Sequence, residues 1–188
     1  MKKLIVLSLL SLIIFISAFS FDILINTSYS LTLDATVQTS SGIPSAYDKS
    51  QKLNYTGIRI SYLIPTEDSK EILYGPYIGL FYNLFDKQAG SYPQLNADVK
   101  DISYSMGLNV VYTSKLFQSI NFDVCAYGGV HTDDNFKTYS TEILMSGGFN
   151  WDFLFINAGY DIRYYYVNKN NTIAVNSIPI TVGVSFKF

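Results

Sequence analysis

The sequence predicts an all-β fold, an eight-stranded antiparallel up-and-down barrel that crosses a lipid bilayer. Three observations predict it. First, Ser177 to Phe188 (SIPITVGVSFKF) places Ile178, Ile180, Val182, Val184, Phe186 and Phe188 at every second position. Pro179, Thr181, Gly183, Ser185 and Lys187 fill the gaps. Period two is the side-chain repeat of a strand with one apolar face. Second, seven upstream segments keep the same rhythm. Third, beyond residue 20 no apolar run is long enough for a membrane helix, so a membrane-spanning chain must span as strands.

The N-terminal element is not a strand. Met1 to Ser20 (MKKLIVLSLLSLIIFISAFS) reads as a secretory signal peptide, with Lys2 and Lys3 ahead of an apolar run from Leu4 to Phe19. Ala18-Phe19-Ser20 puts small residues where cleavage ahead of Phe21 needs them. The rival reading is an uncleaved anchor, for which the run is barely long enough. No Cys lies near the cut, so the segment is not a lipoprotein signal. Residues 21–188 then form one barrel domain with no appended periplasmic domain.

The strands follow in order, each reaching the roughly 9–11 residues that a tilted membrane strand needs. Phe21 to Asp34 sets Phe21, Ile23, Ile25, Tyr29, Leu31 and Leu33 against Asn26, Ser28, Ser30 and Thr32. Leu53 to Ile64 sets Ile58, Ile60, Tyr62 and Ile64 against Gly57, Arg59 and Ser61. Its parity is disturbed near Tyr55–Gly57, which predicts a bulge. Glu71 to Phe85 carries Ile72, Tyr74, Ile78, Leu80, Tyr82 and Leu84 on one face, with Pro76 as an unfavourable member. Val99 to Tyr112 opposes Ile102, Tyr104, Met106, Leu108, Val110 and Tyr112 to Ser103, Ser105, Gly107 and Asn109.

Phe117 to His131 opposes Ile120, Phe122, Val124, Ala126 and Val130 to Ser119, Asn121 and Asp123. Tyr139 to Trp151 opposes Ile143, Met145, Phe149 and Trp151 to Ser140, Glu142, Ser146 and Asn150. Leu154 to Val167 opposes Leu154, Ile156, Tyr160, Ile162, Tyr164 and Tyr166 to Asn157, Gly159, Asp161 and Arg163. The terminal segment is the eighth strand. Long connections (Ala35–Lys52, Asp86–Asp98, Thr132–Lys137, Asn168–Asn176) alternate with short ones (Pro65–Lys70, Thr113–Lys115, Trp151–Phe153). Short turns on one rim and long loops on the other fit an outer-membrane barrel, with the short side periplasmic.

Alternation alone does not say which face meets solvent, and a soluble lipocalin-like barrel would alternate too. The polar face is mostly Ser, Gly, Asn and Thr, which suits a narrow interior better than a water-exposed exterior. The chain holds 16 Tyr, 13 Phe and one Trp. On the apolar face these gather near strand ends. Phe21, Tyr62, Tyr74, Tyr112, Trp151 and Phe188 form a periplasmic girdle, and Tyr29, Tyr82, Tyr104, Tyr139, Tyr164 and Tyr166 an outer one.

The terminal pattern of Ile180, Val182, Val184, Phe186 and Phe188 resembles the C-terminal sorting signal of bacterial outer-membrane barrels. With its size, strand number and loop asymmetry, the chain resembles the small outer-membrane barrels typified by outer-membrane protein X and the barrel of outer-membrane protein A. That resemblance implies the bacterial outer membrane as location. It implies outer-membrane lipid and the barrel-assembly machinery as partners, and a monomer.

Five ionisable residues point inward on this reading: Arg59, Asp123, Glu142, Asp161 and Arg163. A buried charge must be paired or hydrated. If the tight turn sets Trp151 opposite Leu154, Glu142 falls opposite Arg163, and Asp161 and Asp123 come within reach of Arg59 or Arg163. Such a cluster is a polar plug or, alternatively, the charged constriction of a small channel. His131, with Ser140 and Glu142 on the next strand, resembles the rim cluster of lipid A-modifying acyl hydrolases, whose acyl transfer needs a nucleophile, a base and an orienting carboxylate. The deacylase type has a Ser two residues after its His, and here that position is Asp133. The expectation is therefore no enzyme.

The remaining features exclude more than they assign. Removing the signal leaves 11 basic and 15 acidic side chains. That charge balance and the lack of a basic patch argue against nucleic acid. One Cys, Cys125, rules out an internal disulfide and a cysteine-rich zinc site. Asp133-Asp134-Asn135 lacks a full calcium-loop pattern, so no metal and no cofactor are expected. Asn-x-Ser/Thr triplets at Asn26, Asn54 and Asn170 carry no meaning in a bacterial envelope. The role expected is structural or surface-interactive, with loop Ala35–Lys52 as the main external surface and its ligand unknown.

Overall fold

A computed structural model describes residues 20–39, 45–46, 53–85, 102–133, 139–168 and 171–188. Nine strands make one sheet: β1 (Asp22–Thr39), β2 (Ser45–Ala46), β3 (Leu53–Pro65), β4 (Ile72–Phe85), β5 (Ile102–Lys115), β6 (Ile120–Asp133), β7 (Tyr139–Trp151), β8 (Leu154–Asn168) and β9 (Asn171–Lys187). Each long strand pairs with its neighbours in sequence, and β1 also pairs with β9. The two-residue β2 pairs with Thr36 and Val37 of β1. The other eight strands therefore close into an antiparallel up-and-down barrel. The signal segment and most of the long-loop residues lie outside the described residues.

The registers set the shape of this barrel. A path from Asp22 crosses to Leu63, follows the β3–β4 register across its break to Gly75, and continues through Asn109, Tyr127, Leu144, Asp161 and Ser177. It returns to β1 at Thr32, ten residues from its start. Such a stagger requires steeply tilted strands and leaves an eight-stranded interior only wide enough for side chains.

The faces divide as the alternation requires. Ile78, Met106, Leu108, Ile143 and Met145 point outward and are 58–66% exposed. Arg59, Asn109, Glu142, Asp161 and Arg163 point inward and are at most 1% exposed. This is the reverse of a soluble ligand-binding barrel, whose exterior is polar. The tyrosines Tyr29, Tyr82, Tyr104, Tyr139 and Tyr166 are exposed near one end, and Tyr62, Tyr74, Tyr112 and Trp151 near the other. Phe21 departs from the girdle. It is 9% exposed, stacked between Tyr62 at 5.1 Å and Phe188 at 4.9 Å. Those two rings take the lipid-facing positions instead.

Several boundaries differ from the sequence reading. No register shift occurs near Tyr55–Gly57: β3 runs evenly from Leu53↔Phe85 to Pro65↔Leu73 against β4. The disturbed parity there reflects Leu53 and Tyr55 pointing inward, both 2% exposed. Shifts occur instead at Thr32/Asp34 and Tyr166/Asn168. Residues 35–39 and 171–175, expected in loops, extend β1 and β9 by pairing with each other, and Asn176, also expected in a loop, pairs with Asp34. The β5–β6 turn lies at 116–119 rather than 113–115, closed by Leu116 and Phe117 amides donating to the Ile120 carbonyl at 3.0 Å. The β7–β8 turn is two residues, and Asp152 adopts a left-handed φ of 52° that Asp tolerates.

Pro76 is accommodated by a gap. On its β5 side it pairs with Leu108. On its β3 side the ladder is interrupted between Ser61↔Tyr77 and Ile64↔Tyr74. Pro179 does the same, pairing with Ser30 of β1 while the β8 ladder is interrupted between Ala158↔Ile180 and Asp161↔Ser177. Proline has no N–H to donate, so one side of each proline is left unpaired.

The inward face is less polar than expected. Leu24, Leu63, Tyr77, Val111, Cys125, Tyr127, Leu144 and Phe155 form a buried cluster, with Leu73 packed against it. Glycines on facing strands give these rings their space. A Cβ on Gly129 would lie 2.1 Å from the Tyr77 hydroxyl and 2.7 Å from the Met106 carbonyl oxygen. Gly129→Ala is therefore expected to destabilise the barrel by about 1–3 kcal/mol, the usual range for overpacking. A denaturant titration of the refolded protein checks this, and an unchanged midpoint would show that Tyr77 moves aside freely.

Candidate functional site

The inward ionisable residues are set by the strands that carry them. The two-residue turn aligns Trp151 with Leu154, and the same register sets Glu142 opposite Arg163. Gly129 of β6 lies on the other side of Glu142 and leaves the carboxylate open to the lumen. Arg59 arrives from β3, on the far side of the barrel.

Glu142 is the centre of the cluster. Its Oε1 forms ion pairs with Nη2 of Arg59 and, at 2.9 Å, with Nη2 of Arg163. Its Oε2 meets His131 Nε2 at 2.9 Å. The Tyr77 hydroxyl is directed at Oε2 from 3.5 Å. One carboxylate thus serves two guanidiniums, an imidazole and a phenol, all buried. Charge-assisted bonds of this kind are the strong ones, and they offset part of the cost of taking each ion out of water.

Asp161 supplies the second negative charge. Tyr55 donates its hydroxyl to Asp161 Oδ2 at 2.8 Å and lies 3.3 Å from Glu142 Oε1. Ser177 donates to the same Asp161 oxygen at 3.3 Å. Two arginines and two carboxylates therefore share one compartment, and their formal charges balance.

Aromatic rings hold the guanidiniums between these contacts. The Arg59 guanidinium carbon lies 4.6 Å from the Phe81 ring centre and 5.2 Å from that of Tyr127. That of Arg163 lies 3.8 Å from the Tyr55 ring centre. A desolvated cation–π contact is worth about 2 kcal/mol. Arg59 also donates to Ser28 at 3.2 Å, and Arg163 to the Tyr165 hydroxyl at 3.3 Å.

Of the five residues to which the sequence points, Arg59, Glu142, Asp161 and Arg163 meet in this compartment. Asp123 does not. It accepts from Asn150 Nδ2 at 3.0 Å, towards the end of the barrel that carries the short turns. The β5–β6 and β6–β7 registers set it beside Thr113 and Gly148, well down the strand from His131. His131 pairs in register with Ser140, yet its ring nitrogen is directed at Glu142. Tyr55, Tyr77, Phe81 and Tyr127 complete the cluster, and the search for inward charges misses them. Strand parity is the signal for Phe81 and Tyr127, since Asn83 lies two positions from the first and Asp123 four from the second on the same face.

The terminal strand lies as the alternation predicts. Ile180, Val182, Phe186 and Phe188 are exposed on the outer face, with Val184 partly covered between them.

No family model matches the chain, and no curated relative matches it. Among solved structures, Neisserial surface protein A is similar over 88% of this chain and 97% of its own, at 17% identity and a TM-score of 0.43. Ail, the attachment invasion locus protein of Yersinia pestis, is similar over 88% of this chain and 98% of its own, at 9% identity and a TM-score of 0.38. An outer membrane channel from Pseudomonas putida F1 is similar over 90% of this chain and 96% of its own, at 9% identity and a TM-score of 0.36.

Proposed function

We propose that the protein is a monomeric barrel of the bacterial outer membrane, exported through a cleaved signal, with a structural or surface-interaction role and a lumen closed to solutes. The observation that carries this reading is the placement of Arg59 and Arg163 on one carboxylate inside a barrel whose outside is apolar. The apolar layer of Leu24, Leu63, Val111, Leu144 and Phe155 lies beside that cluster and adds a second obstruction. The exposed apolar exterior supports a lipid environment, because closed barrels are the one sheet architecture that satisfies its backbone in hydrocarbon. The terminal strand supports recognition by the barrel-assembly machinery. A non-enzymatic role is supported by His131 Nδ1, which meets no hydroxyl among the described residues, so the ring holds no serine as a nucleophile.

Planar-bilayer recording on the refolded mature chain tests this, with insertion verified by protease protection. Insertion without steady conductance is the expected result. Steady conductance would favour a small channel with Arg59 and Arg163 at its constriction. Failure to insert, in a chain that circular dichroism shows to be folded as β, would sink the membrane reading.

A further inference from the structure

The rim that carries the short turns is uneven in its chemistry. The β3–β4 turn holds Glu67, Asp68, Lys70 and Glu71, all exposed, so acids outnumber bases there. The β5–β6 turn beside it is apolar at its tip, with Leu116 47% and Phe117 70% exposed. The two turns start side by side, because the Thr113 amide donates to the Glu71 carbonyl at 2.8 Å. Three residues beyond that bond lie Asp68 in one turn and Leu116 in the other. Further round, Phe153 in the β7–β8 turn is 61% exposed, and Phe188 just past β9 is 65% exposed. The arc from β5 to β9 thus carries large apolar side chains beyond the girdle residues Tyr112 and Trp151, where the arc at β3 and β4 carries charge.

Turn chemistry does not call for these side chains. Tight turns are served by Gly, Asn, Asp, Ser or Pro, which supply the backbone angles or a local hydrogen bond. The β5–β6 turn is closed by the backbone amides of Leu116 and Phe117 on the Ile120 carbonyl, which any residue could provide. In water the exposed tips would leave apolar surface wet, at a cost in free energy. A lipid interface removes that cost, and it is continuous with the apolar outer face through Tyr112 and Trp151, the kind of residue that gathers at headgroup level. Charge agrees. Among the exposed charged side chains at this end of β5 to β9, Lys115 and Lys187 outnumber Asp152. A lysine can lay its stem along apolar surface and extend its ammonium to lipid phosphate. The acidic β3–β4 turn would be repelled by the same phosphates.

We infer that this rim is seated unevenly in the bilayer: the β5–β6 turn, the β7–β8 turn and the residues closing β9 enter the phospholipid headgroup layer, and the β3–β4 turn stands in water. The inference rests on the membrane reading above and adds to it a lipid contact made by residues outside the strands.

Depth-dependent fluorescence quenching tests it. Trp151 is the one tryptophan of the chain, so in the unmodified protein it reports insertion. In a Trp151→Phe background, Phe117→Trp, Phe153→Trp and Asp68→Trp move the probe to the three turns. Each protein is refolded into vesicles of phosphatidylethanolamine and phosphatidylglycerol with brominated acyl chains. The probes at positions 117 and 153 should be quenched by the brominated lipid at least about twofold more than the probe at position 68, as entry about 5–10 Å into the headgroup–acyl boundary requires. Aqueous iodide should show the opposite order. Iodide quenching at 117 and 153 as strong as at 68 overturns the inference. Shielding from iodide without quenching by lipid overturns it too, because contact between copies then covers the turns. If Trp151 itself escapes the brominated lipid, the membrane reading falls and this inference with it. A quenched Trp151 beside wet turns removes this inference alone. Should a variant fail to refold, amide-resolved NMR of the unmodified protein decides. A nitroxide on the lipid headgroup should broaden the signals of Leu116, Phe117 and Phe153 and spare Asp68, and equal broadening overturns the uneven seating.

Discussion

Glu142→Ala is expected to cost about 3–5 kcal/mol, the range found when one partner of a buried ion pair is removed. The loss is not that of one contact. Arg59 and Arg163 both rely on Oε1, and the substitution leaves two guanidiniums facing each other without a carboxylate between them. Asp161, held at Oδ2 by Tyr55 and Ser177, is left as the one carboxylate of the compartment against two arginines. A reversible urea titration in detergent micelles measures the effect. Glu142→Gln keeps the shape and should fall between the two proteins. A loss below about 1 kcal/mol, the scale of hydrated surface pairs, would mean that water reaches the arginines and that the lumen is open at this level. A double-mutant cycle with Arg163→Ala then apportions the coupling, since residues in one network do not add.

Leu108→Arg should destabilise the membrane-inserted protein by about 2–4 kcal/mol, the cost of a cation on the lipid face near the bilayer midplane. Leu108 lies mid-strand in β5, between Pro76 and Gly128, and is 65% exposed. In water such a side chain would gain hydration and the substitution would be near neutral. The measurement is refolding into lipid vesicles, compared with Ser114→Arg on the same face near the short-turn rim, where a charge finds water and the effect should be small. Equal, negligible effects at both positions would place the outer face of β5 in water.

How much of this can be read from the sequence depends on which question is asked. Period two assigns each residue to a face, and the faces of Ile102–Tyr112 and of Tyr139–Trp151 follow directly from it. A two-residue turn adds register, which is why the Glu142–Arg163 alignment is legible from the residues alone. What parity cannot supply is which inward residues meet across the lumen. That depends on the stagger, which is the accumulated result of eight registers. Asp123 and Asp161 are indistinguishable by parity, yet Asp161 meets the arginines and Asp123 meets Asn150 instead. Aromatic residues mislead in a second way. Tyr55, Tyr77, Phe81 and Tyr127 face inward, Tyr77 over Gly107 and Gly129 and Phe81 over Gly57 and Gly79, whereas a membrane barrel leads one to look for aromatics outside. Loop boundaries fail at 35–39 and 171–176, because polar residues pair across a seam as readily as apolar ones.

The stagger of ten residues has a consequence for how the chain finds its final form. Sliding β9 past β1 by two residues would preserve every inside–outside assignment, so the apolar exterior cannot tell the right closure from the wrong one. The lumen can. Tyr55 and Arg59 lie on one side of that seam, Asp161 and Arg163 on the other. A two-residue slip displaces one pair from the other by about 7 Å along the strand, given the rise per residue. The 2.8 Å bond from Tyr55 to Asp161 could not survive it. The charged interior thus acts as a key cut for one closure, rejecting misaligned barrels that lipid alone would accept.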